Sequence, residues 1–294
     1  MVGERGLRKG ALIAFFLLPS LIPLLAFRLL PMVSSVGVST LDWNLLRPPT
    51  FVGLHNYAAL LTDDRFHQGL RNTLFYIAGY LPLVFVGGLS VALLLNRGIR
   101  GLTFFRGLYF LPVVTSWVVV ALLWKWLLNP QGGVVNYLLG VVGIDGPGWW
   151  TDPAWAMPSI ILASAWKDLG FVMLILLAGL QGIPTELYEA ARVDGAGAYR
   201  RMRSITLPLL TPSMFFVIVI SLIGGFQVFD QVWVMTEGGP AGATTVVMEQ
   251  IYQNAFRYGR MGQAAAMSWV LFVIILLATL IQFRYQRKWV HYGH

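Results

Sequence analysis

Cysteine is absent from all 294 residues, so the chain can form no disulfide, no thiolate metal site and no thiol nucleophile. Charge is scarce too. Asp, Glu, Lys and Arg make up 12% of the residues, about half the share of a soluble globular protein. Only four lysines occur, Lys9, Lys125, Lys167 and Lys288, and none is followed by Ser or Thr. A P-loop needs that dipeptide after a Gly-rich turn, so no nucleotide-hydrolysing site is expected. The Gly-rich TEGGPAGATT (236–245) carries no lysine and reads as a turn. The four histidines form no His-x-x-x-His pair, and Asp63-Asp64, the one pair of adjacent carboxylates, reads as solvated. Neither a metal nor a cofactor is expected. A membrane-embedded transferase, the remote alternative, would need clustered acidic motifs or a Ser/His pair within the spans, and neither is seen.

Apolar sequence dominates instead: 57% of residues are hydrophobic and the mean hydropathy is +0.68. Six runs reach the ~20 residues needed to cross a bilayer: about 11–32, 72–95, 108–128, 155–180, 208–234 and 264–283. Lipid offers no partner to unpaired backbone groups, so these runs predict helices and an all-α fold of one transmembrane domain, 1–294. Pro19, Pro23, Pro82 and Pro112 mark expected kinks. Arg5, Arg8 and Lys9 before the first run resemble a signal peptide, but no small-x-small cleavage site follows, so a retained span is expected.

An even number of crossings puts both termini on one side. The tails and the 96–107 and 182–207 loops carry thirteen Lys or Arg, whereas the opposite loops carry five. That excess makes the first side cytoplasmic. The net charge of +8 is spread over those loops and implies no nucleic-acid partner. On the outer side, 34–71 predicts a folded lip, and Trp149, Trp150 and Trp155 suggest an interfacial belt.

One cytoplasmic stretch, 185–210, is polar between two apolar blocks. Thr185 is expected to cap a short helix whose first turn carries Glu186, with Glu189 just beyond and Arg192 near its end, in line with the helix dipole. Ala190 and Ala191 leave a flat face, Asp194-Gly195 reads as the stop, and Pro208 marks re-entry into apolar sequence. EAARVDGA (Glu189 to Ala196) followed by ITLPLL resembles the EAA loop of the membrane subunits of binding-protein-dependent ABC importers. FFRGLYFLPVV, AWKDLGF and GGFQVFDQVWVMTEGGP are similar to the maltose-type sugar permeases, and the resemblance covers nearly the whole chain. The 129–154 loop is too short for the external domain of the larger maltose permease. The likeness is therefore to the compact six-span members, which serve sugars and also glycerol 3-phosphate.

That resemblance implies the fold of a type I importer permease in the inner membrane, with no catalytic residue of its own. It implies a second related permease in a heterodimer, a cytoplasmic ATPase dimer, and an extracytoplasmic solute-binding protein. Glu186, Glu189, Ala190, Ala191, Asp194, Gly195, Ala196 and Pro208 fall on the ATPase-coupling motif. The expected cargo is a sugar; the alternative is glycerol 3-phosphate or a related polyol.

Polar groups inside spans commonly face a cavity or a partner. Lys167 and Asp168 fall about 18 Å into the fourth run. Consecutive helix residues point apart, so they are expected to meet different partners, and a structural ion pair competes with a solute contact. Arg28 and Lys125 read as snorkelling from span ends. Gln227 and Asp230, one turn apart in the fifth run beside Trp233, suit a sugar's hydroxyls and C–H faces, with Gly224 and Gly225 allowing close helix approach. Tyr252 and Asn254 are candidates at the external mouth.

Overall fold

The apolar runs become helices in the computed structural model, which describes residues 3–96 and 101–290. In chain order, α1 (Gly3–Leu24) passes through a π-helical turn, Leu25–Leu29, into α2 (Leu30–Ser39). Two-residue strands β1 (Leu41–Asp42) and β2 (Thr50–Phe51) pair antiparallel, Leu41 opposite Phe51. Next come α3 (His55–Leu60), α4 (Asp64–Leu95), α5 (Leu102–Val114), α6 (Trp117–Leu127) and α7 (Val134–Val141). Beyond them lie α8 (Pro153–Gln181), α9 (Thr185–Val193) and α10 (Ala198–Arg201), the last running through Met202–Thr206 into α11 (Leu207–Phe226). Finally α12 (Asp230–Met235) and α13 (Val247–Tyr252) precede α14 (Met261–Trp289).

Among the described residues five helices are long and apolar enough to span, and α5 with α6, bent by 99°, make up to a sixth if the pair is one span. The expected third run is therefore not one continuous helix. Pro112 sits inside α5, and the chain leaves helical geometry at Thr115 (ψ 140°) and Ser116 (ψ 141°). The fifth run also ends early, at Phe226 rather than Val234. Hydropathy stays high across that end, but Gln227, Val228 and Phe229 break the helix before α12 begins. The first helix extends to Ser39, which puts Arg28 well inside it rather than near its outer end. Pro82 lies inside α4 without interrupting it.

The chain divides into two compact units, 1–63 with 251–270, and 64–250 with 271–294. In the first, Asn56 is buried and donates through Nδ2 to the carbonyls of Ser39 and Leu41, both at 2.9 Å. Tyr57 Oη donates to Ser39 Oγ at 2.7 Å, and Trp269 Nε1 to Ser35 Oγ at 3.0 Å. These bonds close the lip around the strand pair.

In the second unit α8 is the central rod. It buries fifteen of its 29 residues, against ten of 32 in α4. Its side chains are small or branched where neighbours approach, as membrane helix packing by van der Waals contact requires. Gly170 is the tightest point: a β-carbon there would overlap the Tyr109 carbonyl of α5, so only glycine lets the two backbones touch.

Candidate functional site

The polar loop forms as a separate helical element between α8 and α11. Thr185 does not cap it. Pro184 occupies the cap position in extended geometry, Thr185 is the first helical residue, and no side chain caps the exposed amides. The other end closes as expected. Gly195 takes φ +71°, Gly195 N donates to Arg192 O (3.0 Å) and Ala196 N to Ala191 O (2.8 Å), the paired bonds of a Schellman motif. Two further bonds tie the loop to α10 and its continuation: Arg201 Nη1 donates to Ala196 O (3.1 Å), and the hydroxyls of Tyr188 and Thr206 lie 3.0 Å apart. Pro208 sits in the first turn of α11.

Glu186, Glu189, Ala190, Asp194 and Gly195 are exposed, whereas Ala191 and Ala196 are half-buried. Apolar side chains join the exposed set: Val193 is 89% exposed and Tyr199 77%. α9 buries no residue at all. Short isolated helices are marginal in water, so this one is held by its closing motif and its bonds to Thr206 and Arg201.

A second constellation lies within the spans of the same unit. Tyr80 Oη of α4 donates to Asp168 Oδ2 of α8 at 2.8 Å. The Tyr80 ring stacks on Tyr76 with centroids 5.3 Å apart. Gln231 Nε2 of α12 donates to Tyr76 Oη and to Ser164 Oγ, each at 3.3 Å. Three helices thus share one buried polar network. Asp168 belongs to it; Tyr76, Tyr80, Ser164 and Gln231 were not expected from sequence. The available signal was the Tyr76/Tyr80 spacing of four, which puts both rings on one helix face.

Lys167 and Asp168 do meet different partners. Lys167 is buried, donates through Nζ to Val113 O at 3.1 Å, and lies 4.7 Å from the Trp117 ring centroid. Its amine thus meets a carbonyl and a ring rather than the ion pair that competes with a solute contact in the sequence reading. Lys125 behaves alike: its Nζ reaches Val234 O at 3.4 Å and lies 4.9 Å from the Trp150 ring. Its amine thus lies at the carbonyl end of α12. Trp149 donates to Asn136 Oδ1 and meets Trp155 edge to face at 5.6 Å.

Gln227 and Asp230 lie on either side of the α11–α12 break rather than one turn apart on a helix, and both are exposed. Phe229 and Trp233 stack nearby with centroids 5.9 Å apart. Gly225 packs against Ile77, whereas Gly224 is open. Tyr252 and Asn254 belong to the other unit, where Tyr252 packs on Phe256 at 5.2 Å and Asn254 Nδ2 reaches Met267 Sδ at 3.7 Å. No cluster of three or more metal-ligating side chains exists among the described residues.

Broken helices and shared polar groups at membrane depth, beside a folded polar loop, mark a polytopic solute permease. Residues 70–291 match the family described as binding-protein-dependent transport system inner membrane component, and the chain belongs to that family. It is 38% identical over 298 residues to a probable ABC transporter permease protein, YesP, of Bacillus subtilis (strain 168), covering 99% of this chain and 96% of that one. It is 34% identical over 281 residues to the trehalose/maltose transport system permease protein MalF of Thermococcus litoralis, covering 95% of each. Among solved structures, a bacterial alginate ABC transporter in complex with alginate pentasaccharide-bound periplasmic protein superposes with a TM-score of 0.87. That match is at 27% identity and covers 99% of both chains. The protein is therefore an integral inner-membrane permease subunit of an ABC importer, with the fold of such permeases.

Proposed function

We propose that the chain moves a sugar across the inner membrane by alternating access, driven by a separate cytoplasmic ATPase dimer that docks on α9. The observation that carries this reading is α9 itself: a helix that buries no residue, presents Val193 and Tyr199 nearby, and is fixed at its end by Gly195. An ordered, partly apolar element held off the bundle fits a cleft in another protein. Glu186, Glu189, Ala190, Ala191, Asp194, Gly195 and Ala196 form the docking surface, and Pro208 sets the loop's return. The charge bias of the loops supports a cytoplasmic α9 and cytoplasmic termini.

A related permease completes the path in a heterodimer, and an extracytoplasmic binding protein delivers solute. Sugar as cargo is supported by the trehalose/maltose relative and by the alginate transporter's fold. In this chain, exposed Gln227 and Asp230 at a helix break, with the Phe229 and Trp233 rings, offer hydrogen bonds and flat apolar faces together, which is what a pyranose needs. Asp168, held by Tyr80 in the polar network, is a further proposed path residue. Lys167 stands outside the path because its amine is engaged with Val113 and Trp117. Tyr252 and Asn254 are proposed as contacts at the external mouth. The ATPase must bind α9 differently in its two nucleotide states, since only differential affinity shifts a conformational equilibrium.

The test is ATP-driven uptake by the reconstituted complex with its binding protein, screened over neutral mono-, di- and trisaccharides and glycerol 3-phosphate. One or more of the sugars should be taken up. Asp230→Ala should raise KM about tenfold, the loss of one charged hydrogen bond. Uptake of glycerol 3-phosphate alone would overturn the sugar assignment.

A further inference from the structure

We propose that Lys167 is a positioning residue that fixes the bend of the third span and joins it to α8 as one rigid lever ending at α9. The proposal rests on the reading of α9 as the coupling element. When a helix ends inside a membrane, its last four carbonyls need new donors, because lipid supplies none. At the end of α5, Leu111 O accepts from Thr115 Oγ1 at 2.9 Å and Pro112 O from Thr115 N at 3.3 Å. Val113 O is served by Lys167, from the middle of a different helix.

The amine does more than cap. Val113 lies in the last turn of α5, and Trp117 opens α6. By bonding one and lying over the other, a single buried ammonium holds both sides of the break. A carbonyl at a helix C-terminus carries partial negative charge, and so does an aromatic face, so both are fitting neighbours for an amine donor. Three residues further along α8, Gly170 brings the Tyr109 backbone into direct contact. Lys167 and Gly170 share one face of α8, as Tyr109 and Val113 share one face of α5. Two fixed points along a common line prevent α5 from pivoting on α8.

Lys167 is the fifteenth of 29 residues in α8, and the fourteen beyond it extend about 21 Å toward α9. Only Gly182, Ile183 and Pro184 separate the two helices, and Ile183 is buried. A push on α9 therefore reaches the bent span through one continuous rod, provided that the bend holds.

The chain lacks cysteine, so spin labels placed at exposed Leu108 and Leu122 report the bend alone. In the complete complex the wild-type distance distribution should be narrow and unchanged by nucleotide. Lys167→Met should broaden it and lower solute moved per ATP hydrolysed by about tenfold, the factor for one buried carbonyl left without a donor. Lys167→Arg should restore both. A narrow distribution with wild-type coupling in Lys167→Met overturns the proposal. If that variant does not assemble, Trp117→Leu decides: it keeps the bond to Val113 and removes the ring, and an unbroadened distribution there equally overturns it. Gly195→Val, measured in parallel, separates the lever from the coupling role of α9. If it is fully coupled, the reading of α9 fails; if it is uncoupled while Lys167→Met is normal, only the lever fails.

Discussion

Replacing Gly195 by valine is expected to lower ATP-driven uptake more than tenfold. The reason is confined to the backbone. A β-carbon at this position would meet nothing within 4 Å, so no side-chain clash is involved. What valine cannot accept is φ +71°, which costs an L-residue about 1–2 kcal/mol and a β-branched one the most. Relief requires opening the paired bonds at Ala191 and Arg192, which shifts Ala196 and the Arg201 contact that depends on it. α9 would then present a frayed end to its partner. Gly195→Asn tolerates the left-handed conformation and should keep most of the activity. Glu189→Lys tests the same surface by charge: it reverses an exposed acid on the proposed docking face, and should lower co-purification of the ATPase as well as uptake. Wild-type uptake by the valine variant would count against a docking role.

Gly170→Leu should destabilise the membrane domain by about 3 kcal/mol, the upper range for overpacking a filled interior. The obstacle is the Tyr109 carbonyl, a backbone atom that cannot rotate away as a side chain would. α5 would have to lift off α8 and carry Val113 away from Lys167. Gly107→Leu is the matched control, since a β-carbon there meets nothing within 4 Å. Thermal unfolding in detergent should show a marked loss for residue 170 and little change for 107. Equal stability of the two variants would contradict this packing.

Spans and helix breaks differ in how far the sequence reveals them. Spans are legible because lipid imposes a length and a polarity that composition records directly. The α9 stop is legible because glycine after Asp194 has a conformational reason that survives without any tertiary contact. At Thr115–Ser116 Pro112 signals a kink but not a full break: Trp117, Val118 and Val119 keep the hydropathy high, and hydropathy carries no direction. The same holds at Gln227, where Val228 and Phe229 mask the end of α11. Intramembrane charges were visible, but their partners were not. Lys125 and Lys167 bond to carbonyls, which every residue possesses, so no sequence signal singles out Val234 or Val113. The buried network escaped for a related reason. Tyr76 and Tyr80 look like ordinary aromatic packing until Gln231 and Asp168 are brought to their hydroxyls by the fold.

The most direct test uses a single cysteine introduced at Val193, the most exposed apolar side chain of α9. In the complex purified from membranes, oxidative cross-linking to cysteines placed around the ATPase cleft should join the two subunits. The extent should change between nucleotide-free and ATP-bound states. In intact cells the same cysteine should be shielded from a membrane-impermeant maleimide. Labelling from outside, or purification of the permease with no ATPase attached, would contradict the central claim.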